Sequence, residues 1–471
     1  MSYHIPFEVS DYTYAQAMAA LQATKKFGIQ PLLESVSEML LELKNPDECF
    51  RSVQIAGTNG KTSTSRYTAA FLRGEGLKTA LYTSPELVKY TERMEIDGTP
   101  VTEEVFGHGI AVAVAAGKRV NAARIAADKR AYDITEFDLL TVAALTIFAE
   151  AGVDVAVLEC GMGGRWDATS AAKNITSVAI TGIGLDHTRI LGNTLEEIAG
   201  EKAAIIQRGR SCVLGVGTAT PVSVEEVFLS RAAEQGVVPT LLRATDVCDV
   251  AGEMQEGMVR HHADLPCATF VITKHSTRLG FPLELTVKTP RATHEDLAAL
   301  KPRYQAANIA LALCLAEDFL DRPLDADKAF DAAIGCPTPG RFQLLRPDPL
   351  VLIDAAHNPQ SVATFLTAIR DVEPNPLHRP KLLTAVLADK DVFGIAELLA
   401  KEFPAVIVTQ TDSARALPAD ELAKIYRDLG VRVEGVFPTV EKAVRALARE
   451  SYVACGTITL AGEVMSSLRG L

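Results

Sequence analysis

The feature that most constrains this chain is a short turn, Gly57-Thr58-Asn59-Gly60-Lys61-Thr62-Ser63. An apolar run (52–56) leads into it, and a helix-patterned segment (63–74) ending in glycine leads out. Strand, glycine turn and helix in that order open an α/β unit. That is also the setting in which a phosphate loop is credible. The first N–H groups of the helix face an anion, and the glycines let it approach. Lys61 is then expected on the β- and γ-phosphates, and the Thr62 hydroxyl on Mg²⁺. The common loop has four residues between its glycines, whereas Gly57 and Gly60 are separated by two. A solvated turn with a surface lysine is the alternative.

The same alternation continues along the chain. Helices are predicted at 13–23, 31–43, 136–151, 195–206 and 304–319, and strands at 153–159, 177–183 and 212–216. The strands are apolar without alternation, as suits parallel strands covered on both faces. Residues 238–290 differ: ATFVITKH and LELTVKT alternate, which predicts an antiparallel flank. CPTPGRFQ, rich in proline and glycine, reads as a linker. Beyond it, strands are predicted at 350–354, 382–387, 405–411, 431–437 and 457–461, with helices at 361–372, 395–402, 419–429 and 440–449. The expected fold is therefore α/β in two parts. Residues 1–335 are expected to form a phosphate-loop domain with a mostly parallel sheet and a small antiparallel flank. Residues 336–471 form a Rossmann-like α/β domain.

Charge narrows the partners. Lys plus Arg is 47 and Asp plus Glu is 59, a net charge of −12. Nucleic acid and anionic membrane both need basic surface, so neither is expected as a partner. No apolar stretch is long enough to span a membrane, and the N-terminus lacks the pattern of a signal peptide. The eight cysteines (Cys49, Cys160, Cys212, Cys248, Cys267, Cys314, Cys336 and Cys455) include no C-x-x-C pair. They read as reduced core thiols of a cytoplasmic protein.

Polar residues gather after the strand ends, where open α/β sheets bind ligands. Glu159 ends one strand and runs into Cys160-Gly161-Met162-Gly163-Gly164-Arg165-Trp166-Asp167. A carboxylate there is a natural Mg²⁺ ligand; helix capping or pairing with Arg165 is the alternative. Asp186-His187 ends the next strand, and His187 is either a ligand or a structural residue. Lys202 lies in the apolar stretch AGEKAAII. An unpaired buried lysine is costly, so it either meets phosphate as an ammonium or is carbamylated into an anionic metal ligand. Across the linker stand Arg341 and the run Asp354-Ala355-Ala356-His357-Asn358-Pro359. Asp354 and His357 would complete a site between domains, unless Asp354 or Asn358 merely caps the following helix.

Together these segments resemble the Mur-ligase superfamily of ATP-dependent amide-bond-forming ligases. Within it the chain is similar to the dihydrofolate synthase/folylpolyglutamate synthase family. The resemblance runs from about Gly28 to Gly462 through GTNGKTS, YTSPELVKYTERMEIDG, TEFDLLTVAAL, LECGMGGRWDATSAA and GLDHTRILGNTLEEIAGEKAAII. YQAAN, PGRFQ, DAAHNP and LADKDV continue it in order. The resemblance implies ATP as co-substrate and two Mg²⁺ ions. It places Gly57, Thr58, Asn59, Gly60, Lys61, Thr62, Ser63, Asn308, Arg341, Asp354 and His357 on ATP. Thr62, Ser84, Glu159, His187 and carbamylated Lys202 would be metal ligands, with Lys61, Lys202 and His187 catalytic. Ser84, Pro85, Arg93, Arg165 and Asp167 would lie beside the substrate. The implied substrates are L-glutamate and dihydropteroate or a reduced folate, handled by a monomer. A muramoyl-type amino-acid ligase and a phosphate-loop ATPase of other function are the competing readings. The chain departs from the family at four places: Gly-Lys-Thr for Gly-Lys-Gly-Ser, Glu86 for histidine, Ser170 for asparagine, and Tyr304 for histidine.

Overall fold

A computed structural model describes residues 3–24, 32–245, 262 and 264–469. Cys248, Gly28 and Pro31, where the predicted second helix begins, lie outside the described residues. The first sheet contains β1 (Arg51–Ala56), β2 (Thr79–Tyr82), β3 (Met94–Ile96), β4 (Thr99–Pro100), β5 (Val155–Glu159) and β6 (Ile175–Gly182). It continues with β7 (Ser211–Gly217), β8 (Thr240–Ala244), β9 (Cys267–Lys274), β10 (Leu283–Lys288) and β11 (Thr293–Ala299). Their spatial order is β11-β10-β9-β8-β7-β6-β1-β5-β2-β3-β4. Every neighbour from β9 to β2 runs parallel, and the pairs at either margin are antiparallel.

Both faces of this sheet are covered, which is why β5 carries no polar alternation and why even the polar Ser52 and Gln54 of β1 are buried. Ala156 and Leu158 of β5 point into a core shared with the helices Glu103–Ala126 and Glu136–Ala151. Val155 and Val157 point to the opposite core, with the helices Lys61–Gly74 and Gln305–Leu320. The second sheet holds β12 (Gln343–Pro347), β13 (Leu350–Asp354), β14 (Lys381–Thr384), β15 (Ala405–Thr409), β16 (Arg432–Phe437) and β17 (Tyr452–Cys455). Its order is β12-β13-β17-β14-β15-β16, parallel except for the β12–β13 hairpin. It too is sandwiched between two cores.

Three expectations need correction. The strand predicted at 457–461 is instead the start of the helix Ile458–Arg469, and the strand is β17. A short apolar run does not by itself separate strand from buried helix. The flank is not antiparallel from residue 238: β8 pairs parallel with β7, and β9 parallel with β8. The alternation in β9 reflects half-exposed faces near the sheet margin, not strand direction. Cys49 and Cys267 are exposed, whereas Cys160, Cys212, Cys314, Cys336 and Cys455 are buried. The 24-residue helix Glu103–Ala126 was not anticipated. Gly107, Gly109 and Gly117 break its helical signal, yet they are packing glycines: a Cβ at Gly107 would lie 2.0 Å from the Tyr12 carbonyl oxygen. Among the described residues no helix is long and apolar enough to cross a membrane.

Candidate active site at the strand ends

The turn after β1 lies between the ends of β5 and β6, in the middle of the sheet. Gly57 (φ 153°) and Gly60 (φ 88°) take conformations that a side chain disfavours. A Cβ would lie 1.8 Å from Thr181 Oγ1 at Gly57 and 2.5 Å from Asn308 Oδ1 at Gly60. Gly60 caps the helix Lys61–Gly74 without a side-chain bond, so its first N–H groups remain open to an anion. The Thr181 hydroxyl donates to the Asn59 carbonyl at 2.7 Å, and the Gly184 N–H donates to Thr58 Oγ1 at 3.1 Å. Behind the turn, Gln305 Nε2 donates to Ser63 Oγ at 3.2 Å, and Asn308 Nδ2 to Gln305 Oε1 at 2.9 Å. Lys61 Nζ folds back on the Thr58 carbonyl at 3.1 Å.

Glu159 ends β5 directly beside this loop. Thr62 Oγ1 donates to its Oε1 at 2.8 Å, and the Ser84 N–H donates to Oε2 at 3.4 Å. Burial raises the Glu159 pKa; Lys61, the Thr62 bond and Arg341 oppose the shift. The expected alternative partner is elsewhere, because Arg165 Nε donates to Glu201 Oε1 at 2.9 Å. The Glu159 carboxylate and the Thr62 hydroxyl therefore meet as oxygen groups of the kind a hard cation takes, with the Ser84 backbone alongside.

At the end of β6, His187 sits in left-handed backbone (φ 52°) with its N–H on Asp186 Oδ1 at 2.8 Å. Burial, and then the charges of Lys390, Lys61 and Lys202, hold its pKa down to about 4 against the pull of Asp186. The imidazole is thus neutral at pH 7 and keeps a lone pair. Lys202 is 4% exposed and donates to the Gly57 carbonyl at 2.8 Å. Burial and the Lys61 charge lower its pKa to about 7. A substantial neutral-amine fraction near pH 7 is what addition to CO₂ requires.

The second sheet supplies the facing wall. Asp354, at the end of β13, accepts from the Phe342 N–H and the Ala356 N–H (2.8 Å each) and from the Tyr304 hydroxyl (3.1 Å). Burial raises its pKa, and Arg341 nearby opposes that. Asn358, not Asp354, caps the helix Pro359–Val372. His357 Nδ1 donates to the Ala355 carbonyl at 2.9 Å, which turns Nε2 toward Asp186 Oδ2 at 3.7 Å. Contacts cross directly between the two parts. Asn59 donates to Gln360 Oε1 at 2.7 Å and accepts from Asn358 Nδ2 at 3.2 Å. Lys390 Nζ meets Asp186 Oδ1 at 2.6 Å. The sequence signalled Asp186 only as the neighbour of His187, and Lys390 only as part of LADKDV. Gln360 carried no signal. Each reaches the site through a contact between residues far apart in the chain.

The substrate-side residues separate. Ser84 touches Glu159, and Pro85 follows it. Arg93 is buried and donates to Glu86 Oε2 at 2.5 Å, with its guanidinium 4.7 Å from the Tyr90 ring centre. Arg165 is half-exposed on Glu201. Asp167 is buried: Oδ1 accepts from the Thr169 N–H (3.1 Å), and Oδ2 from the Met162 N–H (2.8 Å). It braces the loop after β5. Ser170, one of the departures, accepts from Gln54 at 2.8 Å and donates to the Gly164 carbonyl at 2.6 Å. Of the aromatic residues near this loop, Tyr82 is fully buried and stacked on Phe137, whereas Tyr90, Phe137 and Trp166 are each at least partly exposed. A cavity of about 310 Å³ lined by Leu279, Phe281, Leu300, Lys301, Phe342 and Leu344 contains none of the expected site residues.

Comparison with known proteins places the chain in a family. The Mur ligase middle domain matches residues 55–220, and the Mur ligase glutamate ligase domain matches residues 340–462. The dihydrofolate synthase/folylpolyglutamate synthase of Mycobacterium tuberculosis is 33% identical over 84% of this chain and 77% of that protein. A probable bifunctional folylpolyglutamate synthase/dihydropteroate synthase of Haloferax volcanii is 33% identical over 93% of this chain, which spans only 48% of that longer protein. Among solved structures, the Mycobacterium tuberculosis folylpolyglutamate synthase complexed with ADP superposes with a TM-score of 0.83. It is 29% identical, covering 97% of this chain and 98% of that one. A bifunctional folylpolyglutamate synthase/dihydrofolate synthase with Mn, AMPPNP and L-glutamate bound has a TM-score of 0.76. It is 26% identical, covering 98% of this chain and 100% of that one. The chain belongs to the folylpolyglutamate synthase/dihydrofolate synthase family of Mur ligases.

Proposed function

We propose that this protein is an ATP-dependent ligase that joins L-glutamate to dihydropteroate and to the γ-carboxyl of reduced folate glutamates, giving ADP and phosphate. The observation that carries this reading is the meeting of the phosphate loop with the second sheet, through Asn59 to Gln360 and Asn358 and through Asp186 to Lys390. An ATPase that only cycles nucleotide has no need of that second wall. A ligase must enclose three substrates and keep water from a reactive intermediate.

A carboxylate is a poor acyl donor, because its leaving group would be an oxide. Transfer of the γ-phosphoryl group makes an acyl phosphate, whose leaving group is phosphate. The glutamate amine then attacks the acyl carbon. Lys61 and the open N–H groups of the loop would hold the transferring phosphoryl group, and Asn308, Arg341, Asp354 and His357 would line the nucleotide. Thr62 and Glu159, whose oxygens already meet, would hold a Mg²⁺ ion, with Ser84 as a further ligand from the adjoining loop. Among the described residues no group of three or more His, Cys, Asp and Glu is arranged to hold a metal ion by itself, so phosphates and water would complete the shell. His187, neutral at pH 7, and carbamylated Lys202 would hold a second ion. Bound there, the cations would neutralise charge that develops during the transfer. Ser84, Pro85, Arg93, Arg165 and Asp167 would shape the pterin side, either directly or through the loop they brace. The division at 335/336, with ATP held by the first part, and a monomeric state belong to the same proposal.

The test is ADP release with ATP, Mg²⁺ and L-glutamate, comparing dihydropteroate with tetrahydrofolate. Turnover with both is expected. Turnover with tetrahydrofolate alone would remove the first activity. Turnover with neither, but with a UDP-linked muramoyl peptide, would favour the competing ligase class.

A further inference from the structure

Residues 84–93 connect two places that the ligase reading treats separately. At one end, the Ser84 N–H donates to Glu159, whose other oxygen holds Thr62 of the phosphate loop. At the tip, Leu87 leaves the first part of the chain and packs against one core of the second, the cluster to which Ile353, Leu460 and Val464 belong. The fit there is tight. A Cβ at Gly462, inside the helix Ile458–Arg469, would lie 1.8 Å from the Leu87 carbonyl oxygen. A Cβ at Gly340 would lie 2.8 Å from Leu87 Cδ2. The tip therefore sits in a notch that two glycines keep open, one in the linker and one in the last helix.

The loop is also braced internally. Glu86 and Arg93 close its base as an ion pair at 2.5 Å, with side chains 19% and 11% exposed. Glu92 Oε2 accepts from the Leu87 N–H (3.0 Å) and the Val88 N–H (3.1 Å), which fixes the tip. Lys89 adds a surface pair to Glu103, at 2.7 Å. A loop stiffened at base and tip transmits displacement rather than absorbing it.

We propose that residues 84–93 act as a strut, with Leu87, Gly462 and Glu86 as positioning residues: docking of the second domain on Leu87 sets Ser84 and Glu159 at the phosphate loop. The catalytic part of this proposal rests on the ligase reading above. It assigns Glu86 a mechanical role.

The test uses the full chain carrying Gly462→Ala. Alanine is the better helix former, so propensity alone does not make this change destabilising. A purely structural account of Gly462 thus predicts activity that tracks thermal stability. The strut predicts a fall in kcat of at least about tenfold, with the KM for ATP within about threefold and an apparent melting temperature that does not account for the loss. Hydrogen exchange at Leu87 and Val88 should quicken in the same variant. Glu86→Gln should lower kcat similarly, and Glu86→Asp should restore part of it by keeping the charge. Wild-type kcat together with unchanged exchange in Gly462→Ala overturns the strut. So does a loss of activity that follows the melting temperature. If the wild type shows no glutamate-dependent turnover, the ligase reading fails, and exchange at Leu87 and Val88 still decides whether the notch holds the tip.

Discussion

Lys202 has lost its water and gained a carbonyl. With its nitrogen on Gly57 and the Lys61 charge close by, its pKa falls to about 7. An unfolded lysine keeps a value near 10.5, so the unfolded chain binds the extra proton between pH 7 and about 10.5. This residue's contribution to stability therefore rises with pH across that window. The same shift makes the amine nucleophilic. In ¹³C-bicarbonate a carbamate resonance should appear, grow from pH 7 to 9, and vanish in Lys202→Arg. No resonance at any pH would return Lys202 to an ammonium role. Lys202→Ala should recover part of its lost turnover with short carboxylic acids, which stand in for the missing carbamate. Lys61 lies one step closer to the chemistry. Lys61→Ala should lower ligase kcat by roughly a thousandfold, the upper range for removing one charge-stabilising donor. Near-normal turnover would end the phosphate-loop assignment.

At the scale of elements, the turn after β1 works because two glycines bring backbone against Thr181 and Asn308. Gly60→Ala should weaken ADP binding by at least about tenfold, some 1.4 kcal/mol, as read by titration calorimetry. Wild-type affinity would mean that the turn does not hold the phosphates. The turn, its flanking strand and helix, and the strand-end positions of Glu159, His187 and Asp354 were legible because each depends on residues adjacent in the chain. The strand at 452–455 was not, because the apolar run that follows it is equally apolar and becomes helix. The helix Glu103–Ala126 was hidden by its own packing glycines. Within the site, the resemblance named Asp167 as a substrate residue. The structure shows its oxygens holding Met162 and Thr169, a local bracing that a motif cannot reveal. Asn59, Gln360 and Lys390 became partners only through folding, since their contacts join residues two hundred or more positions apart in the chain.

For the whole molecule, the contacts between the two sheets matter as much as either sheet. Asp186 gathers Lys390 and His357 from the second part and His187 from its own. These charges and bonds hold its pKa below the ordinary carboxylate value, against burial. A lowered carboxylate pKa adds stability above about pH 4 that is lost only as the pH falls toward the folded value. Lys390→Ala should leave Asp186 underpaired and weaken domain association by roughly 2–5 kcal/mol. A larger radius of gyration in small-angle scattering with ADP bound would show it; an unchanged radius would mean that the pair does not hold the parts together. The central claim is that both parts close on an activated carboxylate. It is tested most directly with dihydropteroate carrying ¹⁸O in its carboxylate, ATP, Mg²⁺ and L-glutamate. An acyl phosphate predicts that one heavy oxygen passes to the released phosphate for each amide formed. Unlabelled phosphate alongside amide product would contradict it.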